Sequence, residues 1–483
     1  MRFNSDGKFK IMQITDIQEI PKVSPDTLKL INAALESEKP DLAVFTGDQI
    51  KGYGVSYKGR GNELTENVAE TVRTLLKPVT DRHIPFAVTF GNHDRQVGIS
   101  NEEQFEKIYK ALPGCIGEQA EGIDGGGTYN IPILSSDGKR TAFNIYLFDS
   151  GTDAKGGGYE PFSPEIIAWY RKKRDELKAE NGDYVPSIVF QHIPMFEHYN
   201  VLRRVGKHEK GAIPAFRVHK GEYYKTDESK CVEGSVLLEP PSIPDINTGE
   251  FEALKEKGDV LGVYVGHDHK NSYVGKTDDI DVGFTPSAGF NVYGNGKQRG
   301  VRCFVLDEKN PRNYKTYTRT YKQLCDGKLN TPLKDAVWRV VPTTMDMAKP
   351  MIAKALAAIA AARSAVCGGC CACGRCRQNF LNRQLPVFIM TLCKAPEQHC
   401  PGALRIKKLP RNTAALNIIF LCPKLQIFRR PKRRCQPRNT AQIPRSAPRL
   451  SASRARRCSL CRCDVCSAPQ CSCRAPRSAA RRA

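Results

Sequence analysis

The stretch Ile84-Pro85-Phe86-Ala87-Val88-Thr89-Phe90-Gly91-Asn92-His93-Asp94 decides how the rest of the chain is read. Its first seven residues are mostly apolar and read as a buried strand. Gly91 then lets the backbone turn sharply and pass close to whatever is bound there. An amide oxygen, an imidazole and a carboxylate follow. In open α/β sheets, ligands bind just beyond the carboxyl ends of the strands. One Asn-His-Asp tripeptide alone would be a polar turn. The weight comes from recurrence, because an apolar strand followed by metal-type side chains appears four more times.

Upstream, Leu42-Ala43-Val44-Phe45-Thr46 leads into Gly47-Asp48, and Lys10-Ile11-Met12-Gln13-Ile14 leads into Thr15-Asp16-Ile17-Gln18. Between these strands, Ser24-Pro25-Asp26 opens a helix with proline at its first position. Leu28, Ile31, Ala34 and Leu35 follow at helical spacing, and Pro40 closes it. A second helix is predicted over about residues 64–76. The first 95 residues thus read βαβαβ, which implies parallel strands.

Downstream, the pattern predicts a helix over residues 101–112, paired strands over 129–134 and 141–148, and a helix from Ser163-Pro164-Glu165 to about Lys178. Ser187-Ile188-Val189-Phe190 runs into Gln191-His192-Ile193-Pro194, where proline forbids continuation of a central strand. Residues 196–244 are poorly patterned and read as a long insertion over the strand ends. Val260-Leu261-Gly262-Val263-Tyr264-Val265 then leads into Gly266-His267-Asp268-His269. Strands near 282–284 and 301–306 would close the sheet, with an edge strand over 316–324. The glycine-rich run 122–127 is a turn and not a phosphate cradle, since no Lys-Ser/Thr follows. A second glycine-rich run, 151–158, reads as a flexible loop.

Composition divides the 483 residues in two. Of 74 Lys+Arg and 51 Asp+Glu, residues 351–483 hold 27 and 2, so the whole basic excess lies in the tail and the body is nearly neutral. The global charge therefore says nothing about partners of the body. Cysteine divides the same way: Cys115, Cys231, Cys303 and Cys325 stand in the body, and the other 15 follow residue 366. Four scattered cysteines predict reduced thiols in a cytoplasmic protein and exclude a disulfide framework. The N-terminus lacks the apolar stretch of a signal peptide. No apolar run is long enough for a membrane span, and the alanine-rich segment 351–366 reads as a helix fragment.

The site candidates are Asp16, Asp48, Asn92, His93, His192, His267 and His269. Imidazole suits transition metals, and carboxylates suit both these and hard cations. Two bridged ions, about 3.5–4 Å apart, clamp the attacking and leaving oxygens of an in-line displacement. A carboxylate must reach both ions, and that role suits Asp48. A bridging water becomes hydroxide near neutral pH. His93, beside a ligand, is placed to donate to the leaving oxygen or the developing charge.

The order Asp16, Gly47-Asp48, Gly91-Asn92-His93-Asp94, His192, Gly266-His267-Asp268-His269 resembles the calcineurin-like metallophosphoesterase superfamily. His192-Ile193-Pro194 and Gly266-His267-Asp268-His269-Lys270-Asn271 resemble its purple-acid-phosphatase-29-like branch, found in plants with fungal and bacterial relatives. The resemblance spans roughly residues 9–306. It implies a four-layer α/β/β/α sandwich with a dinuclear centre of Mn, Fe, Zn or Mg at the strand ends. It also implies hydrolysis of phosphoric esters, monoesters in preference to diesters. By motif position, Asp16 and His269 would hold the first metal and Asp48 would bridge. Asn92, His192 and His267 would hold the second, and His93 would face the phosphate. Two departures stand out. The first motif usually reads Asp-x-His, but Gln18 stands at the histidine position and offers only a weak amide ligand. The purple phosphatases carry a metal-binding tyrosine where this chain has Lys51, so no tyrosinate-iron colour is expected.

Around the site, Arg95 is a candidate phosphate contact by position. His198, His208 and His219 read as solvated loop residues, and Arg203, Arg204 and Lys207 as a surface charge run. The expected organisation is a phosphoesterase domain over 1–330, an extension over 331–366 and an Arg/Cys/Pro-rich tail over 367–483, disordered or non-native. The tail's pairs Cys367/Cys370, Cys373/Cys376, Cys458/Cys461 and Cys463/Cys466 have zinc-knuckle spacing. Its run 429–434 is basic enough to attract nucleic acid. The alternative is therefore a catalytically weak relative whose tail binds zinc or nucleic acid.

Overall fold

The structure is a computed structural model that describes residues 1–54 and 56–340. The zinc-type cysteine pairs, the basic run and the alanine-rich segment of the tail lie outside the described residues.

Two sheets form the centre. The first holds β1 (Lys8–Ile14), β2 (Leu42–Thr46), β3 (Phe86–Thr89), β13 (Gly300–Asp307) and β14 (Lys315–Thr320), in the order β14-β13-β1-β2-β3. β1, β2 and β3 are parallel, and β13 and β14 continue the sheet antiparallel. The second holds β4 (Tyr129–Leu134), β5 (Thr141–Leu147), β6 (Ser187–Phe190), β10 (Val260–Val265), β11 (Val274–Thr277) and β12 (Ile280–Phe284), in the order β11-β12-β10-β6-β5-β4. β5, β6, β10 and β12 are parallel.

Side-chain alternation along these strands builds the layers. In the second sheet, Ile145, Leu147, Ile188, Phe190 and Tyr264 join the core shared with the first sheet. Their neighbours Tyr146, Phe148, Val189, Val263 and Val265 face the other way. There they pack with Ile166, Ile167, Tyr170 and Leu177 of α4 (Pro164–Asn181) and Phe251 and Leu254 of α5 (Glu250–Lys255). On the far side, the first sheet is covered by α1 (Pro25–Glu38) and α2 (Asn62–Thr80), through Leu30, Ile31, Leu35, Val72, Leu75 and Leu76. The result is the α/β/β/α sandwich.

Several expectations need correction. The helix at 101–112 is one α-turn, α3 (Asn101–Gln104), followed by a wider π-turn over Phe105–Tyr109 that buries Phe105, Ile108 and Tyr109 together. The edge strand stops at Thr320. The backbone N–H of Thr320 donates to Gln323 Oε1 (2.8 Å), a capping arrangement that turns the chain into α6 (Tyr321–Leu324). The insertion is not shapeless: β7 (Leu202–Arg204), β8 (Ile213–Pro214) and β9 (Tyr223–Thr226) form a sheet of order β7-β9-β8. The glycine-rich run 151–158 belongs to a tight hairpin, with a bridge between Asp153 and Tyr159 and backbone bonds Ala154 to Gly158 and Glu160 to Thr152. Its glycines serve that reversal: Gly157 and Gly158 both have positive φ. Finally α7 (Pro332–Val340) is fastened to the body by Arg299 and Asp335, both fully buried and 2.8 Å apart. Among the described residues, no helix is long and apolar enough to cross a membrane.

Candidate metal centre

All five motif stretches end at one place, where the carboxyl ends of β1, β2, β3, β6 and β10 meet. Tight loops make the convergence possible. Asp16, Gln18, Asp48 and His267 all have positive φ, between 44° and 73°. Such conformations cost about 1–3 kcal/mol each and persist where the surroundings over-determine them. Two glycines show how close the loops approach. A Cβ on Gly91 would stand 2.2 Å from Asp48 Oδ1, and one on Gly266 would stand 2.5 Å from Asp16 Oδ2. Asp94, the last residue of the central tetrapeptide, fastens these loops together. Its carboxylate accepts from the backbone N–H groups of Asp48 (2.7 Å), Ile50 (3.1 Å) and Gly91 (2.8 Å).

Oxygen or nitrogen atoms of Asp16, Asp48 and His269 lie within 4.8 Å of one another, all three residues buried. His269 Nε2 is 3.4 Å from Asp16 Oδ1, and its Nδ1 donates to the Tyr293 carbonyl (2.9 Å). His192 repeats the arrangement: Nδ1 donates to the Thr46 carbonyl (3.0 Å), and Nε2 stands 3.5 Å from Asp48 Oδ2. Carbonyl bonds of this kind fix the tautomer and aim the other ring nitrogen at a metal. His267 Nδ1 faces His192 Nε2 at 3.2 Å. Two imidazole nitrogens that share one ion, each about 2.0–2.1 Å from it, stand roughly 3 Å apart.

Asn92 is the clearest test of fit. Its Nδ2 donates to Asp153 Oδ1 (3.0 Å), which turns Oδ1 the other way. That Oδ1 is buried and accepts no hydrogen bond. A buried acceptor without a donor calls for an explanation, and a cation supplies one. The residues Asn92, His192, His267 and Asp48 therefore fit a transition-metal ion.

The electrostatics agree. Burial opposes charge on His192, but the Asp48 and Asp16 carboxylates outweigh it and hold the imidazole up at about 10. Burial likewise opposes ionisation of Asp48, yet His192 and His93 hold its carboxyl well below the usual range. His267 is pushed well down by burial and by the neighbouring His192. The field that retains a proton on one buried imidazole is a field that attracts a cation.

His93 lies beside this cluster, with Nε2 3.9 Å from Asp48 Oδ2. Its backbone N–H donates to Asp48 Oδ1 (2.9 Å), and Nδ1 is 2.8 Å from Gln96 Oε1. Arg95 is exposed, on the short helix that begins at Asp94. Gln18 enters with its amide nitrogen 2.7 Å from Asp48 Oδ2 and 3.3 Å from His269 Nε2. Lys51 is buried, its ammonium 4.7 Å from the ring centres of Tyr53 and Trp338. His198 is fully buried rather than solvated, its Nδ1 near the Met195 backbone and its ring against Phe284. His208 is exposed, and His219 pairs with Glu222 at 3.2 Å. Arg203 and Arg204 pair with Glu209 and Glu222.

Four residues at the site or its rim had no signal in the motif reading. Asp153 and Tyr159 come from the hairpin: Asp153 holds Asn92 and also accepts from Gln96, while the Tyr159 ring packs 4.4 Å from His267. Phe216 of the insertion lies 5.8 Å from Tyr159, so the inserted segment reaches the rim of the site. Tyr53 packs 4.5 Å from His93, only five residues after Asp48. That Asp153 and Tyr159 flank a glycine-rich turn is the one sequence feature that marks them.

Carboxylate, imidazole and amide side chains thus gather at five strand ends of a two-sheet α/β sandwich. The chain belongs to the calcineurin-like phosphoesterase family, whose model matches residues 9–271. It is 29% identical over 340 residues to probable inactive purple acid phosphatase 14 of Arabidopsis thaliana, covering 62% of this chain and 76% of that protein. It is 26% identical over 371 residues to probable inactive purple acid phosphatase 29 of the same plant, covering 70% and 88%. Phosphatase DCR2 of Saccharomyces cerevisiae is 27% identical over 363 residues, covering 66% and 56%. A solved dimetal phosphatase from Danio rerio aligns at TM-score 0.38 and 12% identity, covering 65% of this chain and 99% of that one.

Proposed function

We propose that the chain hydrolyses phosphoric esters, monoesters in preference to diesters, with divalent metal at this cluster. The observation that carries the reading is the Asn92 Oδ1 atom, buried without a donor between Gly91, which closely approaches Asp48 and His192, and His93, whose backbone N–H donates to Asp48. Asn92, His192 and His267 would hold one ion, Asp16 and His269 the other, and Asp48 would reach both. When bound, the ions supply Lewis-acid activation of the phosphoryl group and of the attacking water. The chain's own contributions are positioning and charge. Asp153 keeps the Asn92 amide oxygen turned toward the cluster. Gln96 Oε1 accepts from Nδ1 of His93, which leaves Nε2 to face the cluster, where the doubly protonated ring would donate to the ester oxygens as charge develops. Burial of the ligands excludes water and strengthens each of these interactions. The four free cysteines among the described residues support a reducing, cytoplasmic setting.

A second reading is a family member that binds metal without turnover. Gln18 favours it, and so do the printed names of the two Arabidopsis relatives, each called probable inactive. One experiment separates the two. The full chain is assayed on an aryl phosphomonoester and an aryl phosphodiester with manganese, zinc, iron or magnesium, against an Asp48→Asn control. Metal-dependent turnover lost in the control supports hydrolysis. A folded chain without turnover on any metal supports the second reading.

A further inference from the structure

Gln18 does more at the first metal position than replace a good ligand with a poor one. The residue is 1% exposed, and its backbone is fixed by the bond from its N–H to the Asp48 carbonyl (2.8 Å). The side-chain amide has three neighbours. Asp48 Oδ2, 2.7 Å from Nε2, is an acceptor only. His269 Nε2 lies 3.3 Å from the same nitrogen, and in the neutral ring, whose proton on Nδ1 goes to the Tyr293 carbonyl, it offers a lone pair. On the other side the Tyr53 hydroxyl donates to Gln18 Oε1 (3.1 Å). One orientation of the amide satisfies all three contacts: both N–H bonds inward and the oxygen outward.

We infer that the Gln18 amide is a built-in stand-in for the first metal ion, locked in place by Tyr53. Its two N–H groups engage lone pairs of Asp48 and His269, two of the three side chains that would ligate that ion. An ion entering there must first displace the amide and break the Tyr53 bond, or turn the amide so that its oxygen faces inward. The other position has no such occupant, since the Asn92 oxygen has no donor and two imidazole nitrogens face each other. The two positions therefore differ in affinity. One ion is held tightly by Asn92, His192, His267 and Asp48, and the other is held weakly and exchanges. This inference rests on the metal-centre reading above and gives that centre a dependence on metal concentration.

The test is manganese binding to the full chain after chelator treatment, followed by the paramagnetic resonance of free Mn²⁺ and by calorimetry. The wild-type chain is expected to show one tight class and a second class about 10–100-fold weaker, the range over which groups around ligands tune affinity. Gln18→His replaces the stand-in with a ligand and should bring both classes close together. Tyr53→Phe frees the amide to turn and should tighten the weak class while leaving the tight one unchanged. Two equal tight classes in the wild-type chain would overturn the inference. So would a weak class that moves in neither variant. Absence of any tight class, even in Gln18→His, would instead overturn the metal-centre reading itself.

Discussion

The two halves of the cluster are built from the same kind of loop and differ in what fills them. In one half, the buried Asn92 amide oxygen has no donor, His192 and His267 face each other ring to ring, and Asp153 stands behind the amide to hold it. In the other half, Asp16 and His269 are arranged just as closely, but the Gln18 amide nitrogen already bonds to His269 and to the shared Asp48. The fold supplies the same strand-end geometry to both. The difference lies in one side chain and in the tyrosine that fixes its orientation. Metal-site competence is thus a property of the donor balance at each position and not of the sandwich.

The largest effect should come from the residue that belongs to both halves. Asp48→Asn is expected to lower turnover by about 10³-fold or more, the order lost when an electrostatic partner of a transition state is removed. An unchanged rate in a folded variant would break the comparison at its centre. His93→Asn should come next, with a loss of about 10²–10³-fold in kcat. Metal content should stay the same, because His93 faces the cluster without completing either half. Loss of metal in that variant, measured by elemental analysis, would make His93 a ligand.

Asp153→Asn sharpens the contrast between the halves. An asparagine can donate to Asn92 and so release its amide to turn. The tight ion should loosen about 10–100-fold, and binding titrations should show the weak class unmoved. A smaller effect is expected on stability. Gly91→Ala places a methyl 2.2 Å from Asp48 Oδ1 and should destabilise the fold by about 1–3 kcal/mol, read from denaturant midpoints. Added manganese offers the complementary measurement. At a hundredfold excess over its dissociation constant, an ion bound only to the folded state stabilises by about 2.7 kcal/mol. The gain in melting temperature should be present in Gln18→His and smaller in Asn92→Ala.

Most of the fold was legible because its strands are short apolar runs that end in glycine and a polar ligand. Periodicity placed β1, β2, β3, β6 and β10, and the motif order named the seven candidates, which the fold brings to one place. Three kinds of structure did not show. The π-turn at Phe105–Tyr109 has the same spacing of apolar residues as a helix. The single turn at Tyr321–Leu324 follows from one side-chain bond to a backbone N–H. The hairpin that carries Asp153 and Tyr159 looked mobile because seven of the eight residues 151–158 are polar or glycine. Its order comes from backbone bonds and from packing of Tyr159 on His267. The role of Gln18 was legible only as a departure. That its nitrogen faces inward depends on Tyr53 and Tyr293, neither of which belongs to a motif.

The most direct measurement is anomalous diffraction from crystals of the full chain soaked at graded manganese concentrations. The expected result is a peak between Asn92 Oδ1, His192, His267 and Asp48 at low concentration. A second peak beside Asp16 and His269 should follow only at higher concentration, with the Gln18 amide displaced. Absence of any peak at Asn92, His192 and His267 under saturating metal would contradict the account.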